Sequence, residues 1–141
     1  MKPRLTKTSL PLRFRTKDGN FFIEVAGYEF LHKFSGLTMV AHRSIFLNNV
    51  HGDQYTFKVG VPSNEWKVTE KSTGLSVCIG TTLKEVLETA EEKINADNIE
   101  QTMDNVMKNV APAVNPLIVL SLPRLTAGDE HQFHWNPTER T

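Results

Sequence analysis

The first half of the chain is dominated by short segments in which apolar and polar positions alternate, the period of two expected of half-buried β-strands. Residues 12–15 read Leu-Arg-Phe-Arg, and residues 21–25 form a second run rich in apolar side chains. Between them lies Lys-Asp-Gly-Asn at 17–20, in which Gly19 accepts a positive φ at little cost. This pattern predicts a β-hairpin.

Several further strands are predicted before the middle of the chain. Segments 37–43 and 44–49 are rich in β-formers, and segment 54–61 carries an apolar side chain at every second position. The pattern of residues 28–34 fits either a strand or a helical turn, and Gly36 ends it.

The block from residue 65 to residue 94 carries the strongest local signals. Alternation at 65–70 is followed by the tight-turn sequence Lys-Ser-Thr-Gly and by an apolar return strand at 75–79. Thr82, followed three residues later by Glu85, forms a capping box that predicts the start of a helix. The apolar residues of this helix fall at helical spacing and form one stripe, which comprises Leu83, Val86, Leu87, Ala90 and Ile94.

A second helix is predicted from Asp97 onward, because apolar residues again repeat at helical spacing until Pro112. The run Leu-Ile-Val-Leu-Ser-Leu at 117–122 is almost entirely apolar, which suits a strand covered on both faces and inserted beneath the helices. The predicted fold class is α+β: an antiparallel sheet of five to seven strands with two helices packed on one face.

A chain of 141 residues is expected to form one domain. Residues 1–10 are polar and basic, and we predict that they form a flexible arm. The α+β domain is predicted to span residues 11–123. Residues 124–141 are predicted to form a polar C-terminal tail.

Composition narrows the function classes. Sixteen basic and sixteen acidic residues give a net charge of zero, which lacks the positive excess typical of duplex-binding proteins and permits self-association, for example as a homodimer. The one cysteine, Cys78, excludes an intrachain disulfide and suits a reducing compartment. No stretch approaches the roughly 20 apolar residues of a membrane span, and the basic start lacks the apolar core of a secretory signal. We therefore expect a cytoplasmic protein that does not enter membranes.

The residues that could carry catalysis or bind a metal do not assemble into a motif. His131 and His134 are spaced for one helical turn, but Gly128 and Pro137 disfavour a helix there and further ligands are missing, so an exposed tail is the favoured interpretation. Cys78 lies between apolar neighbours, which favours a buried structural thiol. We predict no catalytic residues, no metal site and no cofactor, and therefore no enzyme.

Four residues are candidates for binding a partner. His42 and Arg43 form a polar pair at the end of a predicted strand, where the arginine could bind a phosphate or a carboxylate through two hydrogen bonds. Arg13 and Arg15 point together to the side of their strand opposite its apolar residues. Two alternatives remain open for the arginines: a nucleic-acid or acidic-partner surface, and an edge strand whose charges prevent aggregation.

The 65–94 block also carries a resemblance. Its sequence WKVTEKSTGLSVCIGTTLKEVLETAEEKI resembles small uncharacterised proteins of phages and mobile elements, in which a Trp-containing strand, a Thr-Gly turn, a second strand and a Thr-capped helix follow one another. The part GTTLKEVLETAEEKI is similar to the strand-to-helix step of HicB-type antitoxins, and the 117–122 run matches the strand that follows in their core. The resemblance implies a small α+β core and transfers no functional residue.

These observations lead to a leading hypothesis and an alternative, beside a third interpretation, a small enzyme that uses His42 or the C-terminal histidines. The first is a non-catalytic accessory or regulatory protein, plausibly encoded by a phage or mobile element, that contacts a partner protein through an exposed sheet face carrying Arg13, Arg15, His42 and Arg43. The alternative is an antitoxin-like nucleic-acid-binding regulator that uses the basic N-terminal strand.

Overall fold

A computed structural model of the chain describes residues 4–16, 19–62, 64–109, 117–122, 124 and 126–136. Its strands belong to two sheets, and two helices lie between the seventh and the eighth strand. In chain order the elements are β1 (Thr6–Thr16), β2 (Gly19–Leu31), β3 (Thr38–Arg43), β4 (Phe46–Asn49), β5 (Thr56–Gly60), β6 (Trp66–Glu70), β7 (Ser76–Gly80), α1 (Leu83–Lys93), α2 (Ile99–Asn109), β8 (Ile118–Leu122) and β9 (Glu130–His134).

The main sheet is built around the 13-residue strand β2. Its strands follow the order β1-β2-β3-β6-β7, and all of these pairs are antiparallel. One edge of β2 pairs with β1 from end to end, whereas the other edge pairs with β8 in parallel near Ile23 and with β3 beyond Gly27. The predicted α+β class with a mainly antiparallel sheet is confirmed.

The first hairpin is longer than the sequence pattern suggested. The predicted hairpin is present: pairing of β1 with β2 reaches Thr16 opposite Gly19, while residues 17–18 lie outside the described residues. At the other end, β1 begins at Thr6, and Leu10 is buried opposite Val25. The prediction of a flexible arm is therefore wrong for residues 6–10, because the length of β2 provides them with a partner.

A second, three-stranded sheet with the order β4-β5-β9 packs on one face of the main sheet. The two sheets enclose the sheet–sheet core, whose buried residues are Leu10, Phe21, Ile23, Val25, Val40, Phe57, Val59, Leu122 and Trp135. β9 and Trp135 belong to the segment that was predicted to be a polar tail. That prediction is wrong for residues 130–135, because Phe133 and Trp135 pack in this core although exposed polar residues surround them in the sequence.

Helix α1 packs on the opposite face of the main sheet. The hydroxyl of Thr82 caps it by accepting the Glu85 N–H at 3.1 Å, whereas the Glu85 carboxylate accepts the hydroxyl of Thr81 at 2.6 Å. Gly80 allows the close approach of the helix, because a Cβ at this position would meet backbone atoms of Val86 at 3.1–3.2 Å. The sheet–helix core thus formed comprises Phe30, Met39, Ala41, Val68, Cys78, Val86, Ala90 and Ile94.

Two details of the helical layer differ from the prediction or extend it. Helix α2 packs against the sheet–helix core through Ile99, so both helices lie on the same side. β8 does not lie beneath them: Leu122 is buried in the sheet–sheet core, and Leu120 packs against it. β8 takes this place because the first half of β2 has a free edge that β3 does not reach.

The β6–β7 turn is held by a buried carboxylate. Glu70 accepts the backbone N–H groups of Ser72 at 3.1 Å and Thr73 at 2.8 Å, and it also accepts both of their hydroxyls. Gly74 closes the turn with φ of +77°, as the sequence predicted. These bonds satisfy the buried charge and fix the register of the unit that precedes α1.

Candidate functional site

Three of the four candidate residues lie on one face of the main sheet. Directly paired residues of antiparallel strands point to the same side. Arg13 pairs with Phe22, and Arg43 pairs with Trp66. Phe22 and Tyr28 lie on the same side of β2, because their positions differ by an even number of residues. Tyr28 pairs with Ala41, and Arg43, two residues after Ala41, lies on the same side of β3.

Helix α1 covers only the part of this face at which Phe30 and Val68 are buried. We call the part that α1 leaves uncovered the open face. It includes the exposed residues Lys7, Arg13 and Arg15 and the half-buried residues Phe22, Glu24, Tyr28, Arg43 and Trp66.

The open face is elongated. Phe22 and Tyr28 are six residues apart on β2, a separation of about 20 Å at roughly 3.3 Å per residue. Arg13 and Arg15 therefore lie at the Phe22 end of this surface, whereas Arg43 and Trp66 lie toward Tyr28, on the other side of β2. A binding partner that touches both ends must be extended or broad.

An aromatic and cationic cluster forms the Arg43 end. The Trp66 and Tyr28 rings lie 6.5 Å apart between centroids at an interplanar angle of 33°. The guanidinium carbon of Arg43 lies 4.6 Å from the centroid of the Trp66 ring, a cation–π contact. Because Trp66 also packs against the sheet–helix core, the cluster rests on a rigid support.

His42 does not belong to the open face, and its predicted exposed position is wrong. Its side chain lies on the opposite face of β3, is 1% exposed and cannot reach a partner. Period-two alternation could not assign its side, because both faces of β3 are covered. The ring instead supports Arg43 from within: Nδ1 donates to the carbonyl oxygen of Arg43 at 2.8 Å, and Nε2 accepts the Thr69 hydroxyl at 2.7 Å.

This environment keeps His42 neutral. Burial is the main cause that lowers its pKa from 6.5 to about 4; the hydrogen bond to the Arg43 carbonyl opposes the shift, and Lys67 adds to it. The neutral ring provides the one donor and the one acceptor that its two hydrogen bonds require.

The open face contains one carboxylate among its members. Glu24 accepts the hydroxyl of Ser121 at 2.9 Å across the β2–β8 pair. The same face carries Lys7, Arg13, Arg15 and Arg43, so its charge is positive although the net charge of the chain is zero. The surface thus suits an acidic partner.

A buried histidine that the sequence did not single out lies at the β2–β3 turn. His32 is fully buried; its Nδ1 accepts the N–H of Ser35 at 3.1 Å and the hydroxyl of Ser35 at 2.9 Å. Its Nε2 donates to the carbonyl oxygen of Ala90 at 3.0 Å, and a carboxylate oxygen of Glu91 lies 3.7 Å away.

The His32 group has the residue types of a hydrolase triad but not its geometry. The Ser35 hydroxyl also accepts the N–H of Leu37 at 3.2 Å, which makes it a poorer nucleophile, and Nε2–H points to a helix carbonyl rather than to the carboxylate. His32 therefore ties the β2–β3 turn to the C-terminal end of α1. Only the fold brings these residues together, since 58 positions separate His32 from Ala90.

The C-terminal histidines are exposed on β9 and do not lie together. His131 pairs with Val59, and His134 pairs with Thr56, so a spacing of three along a strand places them on opposite sides. Within the residues that the structure describes, no group of three or more histidine, cysteine, aspartate or glutamate side chains could hold a metal ion. No described helix is long and apolar enough to span a membrane.

Comparison with known proteins gave no match: neither a family model, nor a curated protein, nor a solved structure is significantly similar to the chain. The resemblance of residues 65–94 to phage proteins and to the HicB-type core stays a prediction.

Proposed function

We propose that this protein is a non-catalytic accessory protein that binds a partner protein through the open face. The observation that carries the proposal is the cluster of Tyr28, Trp66 and Arg43 on an uncovered part of the sheet. Tryptophan, tyrosine and arginine are the residue types enriched among the residues that dominate protein–protein binding energy. A cytoplasmic location and an origin in a phage or mobile element are part of the same proposal, supported by the single cysteine and by the 65–94 resemblance.

The expected partner surface is acidic and contains apolar side chains. Arg13 and Arg15 at one end favour carboxylates, while the half-buried rings of Phe22, Tyr28 and Trp66 favour apolar groups. The rigid support beneath Trp66 lowers the entropic cost of binding, because these side chains are already ordered.

The engaged histidines support a non-catalytic role. Both ring nitrogens of His32 and of His42 already take part in hydrogen bonds within the fold. A general base needs a free lone pair that points toward a substrate. Neither residue meets this requirement, so we place the function in binding.

The test is capture of the partner with a charge-reversed open face. Arg13→Glu, Arg15→Glu and Arg43→Glu are combined in one variant, and a nuclease-treated lysate of the source cells is passed over wild type and variant. We expect a stoichiometric protein to be retained by the wild type and lost with the variant, because three attractive charges become repulsive.

The matched control reverses three exposed lysines outside the open face, Lys33, Lys84 and Lys108, and has the same net charge as the variant. It is expected to retain the partner. Equal loss with both variants, or no stoichiometric protein with the wild type, would contradict the proposal. Circular dichroism checks that each protein is folded.

A second candidate function is binding of single-stranded nucleic acid. The observation that favours it is the alternation of arginines with aromatic rings along the open face, since bases stack on such rings while arginines contact phosphates. Titration of DNA and RNA, single- and double-stranded, at two salt concentrations decides it. Binding that weakens steeply with salt and is lost in the triple-arginine variant supports it, and no binding at low salt removes it.

A further inference from the structure

We propose that the outer edge of β7 pairs with β7 of a second copy of this chain, which forms a two-fold symmetric dimer with one continuous main sheet. This interface is separate from the open face, and its presence or absence does not depend on the proposed function. The two edges of the main sheet differ in their protection against pairing with another strand.

β1 forms one edge and is protected. It carries Lys7, Pro11, Arg13 and Arg15, and charge and proline are the features with which proteins prevent unwanted strand pairing. β7 forms the other edge, and its sequence Ser-Val-Cys-Ile-Gly has neither. In the part of the chain that the structure describes, β6 is the only strand that pairs with β7.

The side chains beside this edge are also open. Ile79 is a strong β-former and is 59% exposed, and Ser76 is exposed at the start of the strand. An exposed, uncharged edge strand is a template for another strand. Pairing would satisfy the hydrogen-bonding groups that β7 turns away from β6.

The position of α1 favours a second copy as the occupant. α1 packs on β7 through Val86 and Cys78, whose Sγ donates to the Val86 carbonyl at 3.5 Å, and it reaches β6 through Val68. Its axis therefore lies over the space between β6 and β7. Antiparallel pairing at a strand spacing of about 4.8 Å then places the two α1 helices about 10 Å apart, which is the distance at which helices pack.

Charge complementarity supports the same arrangement. The two helices run antiparallel across the two-fold axis, so the first turn of one faces the last turn of the other. In α1, Glu85 of the first turn and Lys93 of the last turn lie on the side opposite Glu91, which faces His32 just after β2, so the Glu85 of each copy meets the Lys93 of the other. The arrangement is isologous and closes at two copies.

The test uses two apolar residues of matched exposure. Ile79 is 59% exposed and Leu31, at the far end of β2, is 60% exposed, so Ile79→Lys and Leu31→Lys change charge and exposed apolar surface alike. Sedimentation is measured over a concentration series. We expect wild type and Leu31→Lys to be dimers and Ile79→Lys to raise the dimer dissociation constant by about tenfold or more.

A second variant and a second measurement make the result decisive. Ile79→Thr keeps a β-former and adds no charge, so it is expected to remain folded and to weaken the dimer less. Hydrogen exchange of residues 76–80 should slow as the concentration rises, while exchange in β1 stays constant. A monomeric wild type, a dimer that Ile79→Lys leaves intact, or exchange in β7 that does not depend on concentration would overturn the proposal.

Discussion

The two hydrophobic cores of this protein are assembled in different ways. The sheet–helix core draws on residues 30–94, is mostly aliphatic, and joins two runs of consecutive elements, β2–β3 and β6–β7–α1. The sheet–sheet core joins Leu10 near the start to Trp135 near the end and is rich in aromatic rings. Phe21 lies at its centre, 4.9 Å from the ring of Trp135 and 5.2 Å from the ring of Phe57.

Local sequence patterns are sufficient to predict the sheet–helix core better than the sheet–sheet core. Contacts between neighbouring elements cost little loop entropy, and their turns and caps can be recognised in the sequence. Contacts between the ends of the chain leave no local signal beyond a few apolar residues. A segment such as 126–136 then has the composition of a tail, although its rings complete a core.

The largest loss of stability is expected when Trp135, the C-terminal contribution to the sheet–sheet core, is removed. Trp135→Ala should lower the free energy of unfolding by about 4 kcal/mol, because it removes a large buried ring packed against Phe21. Urea denaturation followed by far-UV circular dichroism measures it. Gln132→Ala on the exposed side of β9 is the control, with an expected change below about 0.5 kcal/mol. Equal effects of the two substitutions would show that β9 does not complete the core.

The next prediction concerns the pH dependence of stability that comes from His42, which is buried on the sheet–sheet side of β3 and hydrogen-bonded to Thr69. The native pKa of His42 is about 4 and its ordinary value is 6.5, so below pH 6.5 the unfolded chain binds a proton that the native protein refuses. Stability from this residue is therefore complete above pH 6.5 and falls as the pH decreases toward 4, by about 3 kcal/mol in total.

The measurement is urea denaturation of wild type and His42→Gln between pH 4 and pH 8. The difference between their unfolding free energies should vary with pH in the window from 6.5 to 4 and be constant above it. A difference that stays constant across the whole range would mean that His42 is not protected from protonation.

A smaller loss of stability is expected from a substitution in the sheet–helix core. Val86→Ala should lower the free energy of unfolding by about 2 kcal/mol, because Val86 is fully buried between α1 and the sheet. Both cores share β2 and β3, so circular dichroism and tryptophan fluorescence should report one common transition. Met107→Ala, at a residue that is 73% exposed, is the control with almost no expected change. Two separate transitions in Val86→Ala would mean that the cores fold independently.

The smallest effect concerns a purely local signal. Thr82→Ala should lower the free energy of unfolding by about 1 kcal/mol, since it leaves the Glu85 N–H without its capping hydroxyl. Thr82→Ser keeps that hydroxyl and should be nearly neutral. If the serine variant loses as much stability as the alanine variant, packing of the threonine methyl rather than capping is responsible.

Sequence patterns predicted the elements better than their surroundings. The β1–β2 hairpin, the turn at Gly74 and the capped start of α1 were all predicted, because turn and cap chemistry is local. The extra strand residues 6–10 were missed because their pattern is polar and only the full length of β2 provides pairing. The His32 contact with Ala90 was missed because no spacing in the sequence reports it.

The candidate site was predicted in part for the same reason. Arg13 and Arg15 share one side because alternation within a strand requires it, and the fold places Arg43 on that side as well. His42 was assigned to the wrong side because a strand covered on both faces shows no alternation. The stacking of Trp66 with Arg43 depends on the pairing of β3 with β6, which the sequence pattern did not specify.

The bounds of the strands and the helix in the 65–94 block, and the apolar side of each amphipathic element, follow from local sequence, because these properties depend on neighbours a few residues away. Three features follow from long-range packing: the C-terminal segment closes a second sheet, β2 divides one edge between β3 and β8, and α1 leaves the open face uncovered. These outcomes depend on which distant apolar surfaces meet, and burial of such surfaces is not directional and leaves no pattern of its own in the chain.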